Sequence, residues 1–284
     1  MSRGYVVITG ASTGIGEACA HHLATLGFNV FAGVRKREDA ERVGGPRIEP
    51  VMLDVAEDAS VSAAADQIGA TVGTSGVAGL VNNAGIAVAG PLEFIDLGDF
   101  QRQLEVNVTG VLRTTQAMLP LIRAGVHGRI VNISSIGGRV ALPLVGPYNA
   151  SKFAVEALSD ALRRELRPWR IHVAVIEPGT VATPIWDKGV AQAQQLDRDA
   201  PPEVRERYGD VIDRIRAEAE KNRTAGVPPQ EVAEAVAHAL TAARPRTRYL
   251  IGRDAKVRAS FAKVMPDRMM DAAIARALGQ RKAG

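Results

Sequence analysis

Tyr148 and Lys152 stand four residues apart at the start of a stretch with helical pattern, so both side chains lie on one face. A tyrosine hydroxyl has a pKa of about 10, too high to exchange protons well near neutrality. A nearby ammonium stabilises the phenolate and lowers that value. Ser135 lies thirteen residues before the tyrosine, at the end of an apolar run of strand length. Strand carboxyl ends are where open α/β sheets hold their ligands, and a hydroxyl there can hydrogen-bond a substrate oxygen as charge develops on it. Alone, a Tyr/Lys pair at this spacing reads better as a solvated helix face.

A second cluster sits near the N-terminus. Thr9-Gly10-Ala11-Ser12-Thr13-Gly14-Ile15-Gly16 follows the first apolar run and precedes a helical pattern. Glycines at such a turn let the backbone approach a pyrophosphate, and the helix beyond it aims free N–H groups at the anion. The spacing is G-x-x-x-G-x-G, not the general dinucleotide fingerprint G-x-G-x-x-G. A tight strand–helix turn would look the same.

The elements that must position these residues follow from the hydrophobic pattern. Tyr5–Thr9, Val30–Val34, Ile48–Leu53, Val77–Asn82, Arg129–Ser134, Ile171–Glu177 and Arg248–Ile251 read as strands. They are continuous Val/Ile runs, as parallel strands covered on both faces require. Helical patterns fall between them at about 14–26, 57–70, 97–123, 149–167 and 229–242. The alternation predicts an α/β fold: one doubly wound, Rossmann-type, mostly seven-stranded parallel sheet with helices on both faces. Residues 1–252 form that single domain. A charged, helical stretch at about 184–227 interrupts the rhythm and reads as a substrate lid. Residues 253–284 form a basic C-terminal extension.

With these placements the chain resembles the short-chain dehydrogenase/reductase family over essentially its whole length. The residues that carry the resemblance are Thr9–Gly16, Asn82-Asn83-Ala84-Gly85, Asn107, Ser135, Tyr148-x-x-x-Lys152, Pro178-Gly179 and Thr183, in the family's order. The resemblance implies a direct hydride transfer between a nicotinamide and a carbon bearing oxygen, without metal. It makes Tyr148 the general acid or base. Lys152 holds the nicotinamide ribose and tunes the tyrosine, Ser135 positions the substrate oxygen, and Asn107 anchors a water leading from Lys152 to solvent. It assigns cofactor contacts to Gly10, Ser12, Thr13, Gly14, Ile15, Gly16, Asp54, Val55, Asn83, Ala84, Gly85, Pro178, Gly179, Val181 and Thr183. Asp54 sits by the adenine ring and Thr183 by the carboxamide. The long 97–123 helix and the helix bearing Tyr148 often form the family's dimer contact, so a homodimer or homotetramer is expected.

Cofactor choice turns on the end of the second strand. An NAD-preferring site carries a carboxylate there for the ribose 2′-hydroxyl. Here Val34 occupies that place and Arg35 follows, a guanidinium suited to a 2′-phosphate. NADP(H) is therefore expected over NAD(H), although Thr13 stands where many NADP-dependent relatives carry a second basic residue, and Arg35-Lys36-Arg37 also fits a solvated loop. The apolar runs Ile86–Ala89 and Val140–Val145 flank the site and suit a lipophilic alcohol or ketone, such as a steroid or retinoid. Weighed against this are a non-catalytic NADP-sensing regulator, a 3-ketoacyl reductase and a sugar-nucleotide epimerase. Sensors lack the tyrosine or lysine that this chain keeps. The glycine spacing and chain length disfavour the epimerase.

The remaining features bound the function. Of the two neighbouring serines, the spacing to Tyr148 selects Ser135 over Ser134. The five histidines are scattered without metal-ligand spacing, and Cys19 with His22 offers only two ligands. A single cysteine allows no intramolecular disulfide and fits a reducing cytoplasm. The opening residues run directly into a strand with no signal-peptide core, and no stretch reaches the ~18 apolar residues of a membrane span. The net charge is +4, yet from Arg246 onward ten Lys or Arg face three Asp. That tail reads first as a solvated helical face. The sharper alternative is contact with an anionic surface, a membrane or an acidic partner. No nucleic-acid motif accompanies the charge.

Overall fold

The Val/Ile runs become seven strands, each within two residues of its expected ends: β1 (Tyr5–Ile8), β2 (Asn29–Val34), β3 (Ile48–Met52), β4 (Gly79–Asn82), β5 (Arg129–Ile133), β6 (His172–Pro178) and β7 (Arg248–Ile251). The computed structural model describes residues 3–184 and 201–279. All neighbouring strands pair in parallel, in the order β3-β2-β1-β4-β5-β6-β7. The order reverses between β1 and β4. A crevice therefore opens at their carboxyl ends, where the Thr9–Gly16 turn and Asn83–Gly85 leave the sheet.

The helices are α1 (Gly14–Thr25), α2 (Arg37–Val43), α3 (Asp58–Val72), α4 (Leu97–Leu104), α5 (Gly110–Ala124), α6 (Gly146–Glu165), α7 (Pro202–Ala225), α8 (Pro229–Thr241), α9 (Arg253–Val264) and α10 (Asp267–Ala277). Cys19 and Leu23 of α1 pack with Val232, Val236 and Leu240 of α8 on one face of the sheet. Val61 and Ile68 of α3 pack with Met118 and Ile122 of α5 and with Leu166 on the other. Each such buried Val, Leu, Ile or Met side chain contributes roughly 1.5–3 kcal/mol of transfer free energy, so the sheet is clamped from both sides.

Three differences from the sequence reading matter. The expected 97–123 helix is one rod with a π-helical turn, Glu105–Thr109, between α4 and α5. Single π turns of this kind recur at functional sites, and this one carries Asn107. The helix bearing Tyr148 starts earlier than expected, at Gly146 with Pro147 in its first turn, where a proline's missing N–H costs nothing. Finally, Arg37 is not loop: it opens α2, a short helix too polar to show an apolar period. Of the expected lid, residues 185–200 lie outside the described residues. The rest is chiefly α7, whose Val204, Val211 and Ile212 pack with Phe94, Leu144 and Leu278.

Candidate active site

The glycine turn is shaped by backbone geometry. Gly10 (φ 63°) and Gly14 (φ 61°) adopt the left-handed conformation that favours glycine. A Cβ on Gly16 would lie 2.3 Å from the Gly10 carbonyl oxygen and 2.5 Å from Asn83 Nδ2. The turn is held from β4. Thr9 Oγ1 accepts from the Asn83 and Ala84 N–H groups (3.0 and 2.9 Å), and Asn83 Nδ2 donates to the Thr9 and Gly10 carbonyls (3.0 and 2.9 Å). The Asn83 amide nitrogen is thus taken up by the turn itself, which the sequence reading did not anticipate; nor did it give Thr9 a part.

Beneath this floor runs a buried polar chain. Asn82 Nδ2 donates to Thr115 Oγ1 on α5 and to Asn132 Oδ1 on β5, and Asn132 Nδ2 donates to Ser159 Oγ on α6 (3.0, 2.9 and 2.8 Å). It ties α5, which continues from the Asn107 turn, to the Tyr148 helix through side chains of β4 and β5, both helices lying on the same face of the sheet. Nothing in the local sequence marks these residues as partners; only the strand order brings them together.

Ser135, Tyr148 and Lys152 meet at the carboxyl end of β5. Ser135 is half-buried and caps a 3-10 turn (Ile136–Gly138), its Oγ accepting from Gly137 N–H at 3.0 Å. The Tyr148 ring stands beside it: a Cβ on Gly137 would lie 3.4 Å from both Ser135 Oγ and Tyr148 Cε1. Ser134 turns inward, 3% exposed, with no hydrogen-bond partner for its hydroxyl among the described residues. Lys152 is 6% exposed, donates from Nζ to the Ile133 carbonyl (2.9 Å), and lies 5.6 Å from the centre of the Tyr148 ring. Burial pushes its amine down to about 8, against a partial upward pull from the Glu156 carboxylate. The tyrosine does not follow the simple expectation of a lysine-lowered pKa. Burial raises it, and the neighbouring Ser135 hydroxyl offsets part of the rise. Asn107, in the π turn, clamps Ile86 by accepting from its N–H (2.8 Å) and donating to its carbonyl (3.0 Å), and reaches Ser151 Oγ at 3.1 Å. Ser151 immediately precedes Lys152.

The remaining predicted contacts surround the crevice. A Cβ on Gly14 would sit 3.2 Å from Thr183, and one on Gly85 would sit 3.4 Å from Asn107 Oδ1, so these groups line one wall. Arg35 and Asp54 line a surface cleft of about 550 Å³ together with Glu57, Gln101, Arg102 and Glu105. Asp54 Oδ1 accepts from the Ala56 N–H, and Val55 is buried beside it. Ser12 and Thr13 are at the rim of the turn, where the Ser12 carbonyl takes a bond from Arg42. Ile15 and Val181 face the core, Val181 bridging to Val227. After Pro178, Gly179 has no room for a side chain: the Asp254 carboxylate lies 2.2 Å from where its Cβ would stand. The same carboxylate accepts from Thr180 N–H and Oγ1 (2.9 and 3.1 Å).

A buried ionic cluster under the serine loop escaped the sequence reading. Glu177, at the end of β6, is fully buried. Arg139 Nε donates to its Oε1 at 2.9 Å. Arg248 Nε reaches both Glu156 Oε2 (3.0 Å) and Glu177 Oε1 (3.3 Å), and its Nη2 donates to Asp160 (2.8 Å). Desolvation and the neighbouring Glu156 push Glu177 up to about 7, with Arg139 pulling back. The available signal was a lone glutamate in the apolar run Val173-Ala174-Val175-Ile176-Glu177. Among the described residues no group of three His, Cys, Asp or Glu could hold a metal ion.

Residues 4–194 match the family model for short chain dehydrogenase. The chain belongs to the short-chain dehydrogenase family. It is 40% identical over 277 residues to retinol dehydrogenase 16 of Homo sapiens, covering 94% of this chain and 86% of that one. It is 34% identical over 275 residues to the NADPH-dependent 3-dehydrocapnine reductase of Ornithobacterium rhinotracheale, with 94% of each chain covered. A short chain dehydrogenase from Burkholderia cenocepacia, solved in complex with NADP, superposes with a TM-score of 0.72 at 29% identity over 98% of each chain. The chain is thus an oxidoreductase of this family, with steroid and retinol dehydrogenases among its relatives.

Proposed function

We propose that this family member interconverts an alcohol and a ketone or aldehyde on a lipophilic small molecule, using NADP(H), with Tyr148 as the proton-transfer group. One observation carries the reading: Ser135 and Tyr148 stand side by side at the carboxyl end of β5, both bordering Gly137, while the buried Lys152 amine lies 5.6 Å from the tyrosine ring. A hydroxyl kept protonated by burial is the form that gives a proton to a developing alkoxide. Ser135 orients the oxygen that receives it. Lys152 supplies positive charge beside the phenolate left behind, which a buried site values more than water does.

The chain's own residues fit a dinucleotide. The left-handed Gly10 and Gly14 and the side-chain-free wall at Gly16 leave a cradle that a Cβ would fill, at the N-terminus of α1. Gly10–Gly16 would hold the pyrophosphate, Asp54 and Val55 the adenine, and Thr183 the carboxamide end. The nicotinamide supplies or accepts the hydride when bound. Preference for the 2′-phosphate rests on Val34, buried and without charge, and on Arg35, exposed and without a hydrogen bond or ion pair among the described residues.

The lipophilic assignment rests on the apolar rim, where Leu144 meets α7, and on retinol dehydrogenase 16 among the relatives. Exposed Phe153 and Ala157 on α6 support a subunit contact there. The test is nucleotide consumption with a panel of steroids, retinoids, fatty ketones and polar sugars under NADPH and NADH. Turnover of a lipophilic member with NADPH is expected. Turnover confined to sugars, or binding without turnover on any member, overturns the reading.

A further inference from the structure

The C-terminal extension is not a loose tail. α9 lays its small face, Ala255 (0% exposed) and Ala259 (3%), against Ile136, the residue after Ser135. Asp254 in its first turn holds Thr180. The opposite face is unusual for a solvated helix. Val257, Phe261 and Val264, spaced i, i+4 and i+7, form one stripe and are 53%, 47% and 79% exposed. Met269, 59% exposed, follows in α10. Lys256 and Lys263 are exposed along one edge of the stripe, and Arg258 stands on the other. Arg253, Lys256, Arg258 and Lys263 outnumber the single acid of α9, Asp254, which is turned inward toward Thr180.

We propose that the outer face of α9 docks on an anionic lipid bilayer surface. The stripe is the apolar face of an interfacial helix, and the flanking cations match a negatively charged headgroup layer. A contiguous exposed apolar stripe beside basic residues marks an interaction surface, not a solvated face. A second copy of the chain is the poorer occupant. A twofold contact sets each surface against itself, which would bring Lys256, Lys263 and Arg258 of both copies together with no free acid on α9 to answer them. No helix among the described residues is long and apolar enough to cross a membrane, so the contact is lateral adsorption.

The experiment is co-sedimentation of the full chain with vesicles of phosphatidylcholine alone and of phosphatidylcholine mixed with phosphatidylglycerol, at low and high salt. Binding to the mixed vesicles, weakened by salt, is expected. Phe261→Asp and the double variant Lys256→Glu/Lys263→Glu should each weaken it by at least about tenfold. Both alter exposed side chains, so retained Tm certifies the fold. No binding to mixed vesicles, or binding unchanged in both variants, overturns the proposal. Sedimentation velocity without lipid supplies the rival outcome: if Phe261→Asp dissociates an oligomer and the parent ignores vesicles, α9 is an interface between copies. None of these readouts requires turnover.

Discussion

The floor of the crevice and its rim are held by different physics. On the floor, Thr9, Asn83 and Asn107 bond neutral side chains to main-chain groups, at 2.8–3.0 Å. Such contacts are indifferent to salt and to pH across the physiological range, and each leaves a buried polar group stranded if its partner is lost. At the rim, α7 rests on a small apolar cluster and on ion pairs such as Arg207–Glu93, while the serine loop is tied down by Arg139, Glu177 and Arg248. The floor contacts carry no charge for salt or protons to act on. The rim can change with substrate, ionic strength and proton concentration. A fold that must keep one cofactor while varying its substrate divides its interactions in this way.

The comparison breaks most visibly at the residue where floor and rim meet. Tyr148→Phe removes the transferable proton and keeps the ring. Turnover should fall by about 10²–10⁴, while cofactor affinity, read by fluorescence titration, stays within about twofold. A variant with near-parental kcat would remove Tyr148 from its role.

The floor itself should tolerate no bulk. Gly16→Ala drives a methyl against the Gly10 carbonyl and Asn83 at 2.3 and 2.5 Å, so cofactor affinity should drop by at least about tenfold and Tm with it. Gly45→Ala meets nothing within 4 Å and serves as the control that should change neither. Equal behaviour of the two would mean the turn opens more easily than its bonds imply. At the cleft beyond, Val34→Asp/Arg35→Ala should move the ratio of kcat/KM for NADPH over NADH by about tenfold or more toward NADH. A parent that already favours NADH defeats the assignment.

The rim should answer in the substrate alone. Val204→Ala/Ile212→Ala hollows the cluster under α7, where losing one buried Ile side chain costs about 2–5 kcal/mol. Substrate KM and preference across the panel should shift while cofactor Kd does not. A collapse of cofactor affinity with unchanged preference would assign α7 to the floor.

The sequence makes the floor readable and the rim largely opaque, for one reason. Gly10–Gly16, Asn82–Gly85 and Tyr148-x-x-x-Lys152 are each local runs whose spacing alone states a geometry. The seven strands were legible because burial on both faces demands unbroken Val/Ile runs. By contrast, Asn82, Asn132 and Ser159 become partners only once β4 lies beside β5 under α6. α2 had no apolar period to read. Glu156, Glu177, Arg139 and Arg248 are spread over more than a hundred residues, and their meeting is a property of topology. α9 was legible as basic and helical, but which of its faces is covered depends on Ile136, far away in the chain.

The smallest expected effect concerns that ionic cluster. Glu177 is fully buried and its carboxyl is raised from 4.5 to about 7. Between those values the folded chain keeps a proton that the unfolded chain has released. Folding stability from this group is therefore fully present below about pH 4.5 and lost as pH rises through 7, after which it levels off. The physical cause is burial next to a second carboxylate, Glu156, which Arg139 only partly offsets. Glu177→Gln keeps the shape and stays neutral at every pH, so it should escape the loss. The Tm of the variant minus that of the parent should rise between pH 5 and pH 8 by a few degrees, since about 1 kcal/mol shifts Tm by roughly 2–4 °C in chains of this order of size. The sign matters more than the size. Parallel Tm–pH curves would mean Glu177 is ionised in the folded state across the range, its arginines outweighing its burial. The rim would then be fixed as firmly as the floor, and the contrast between them would fail at this point.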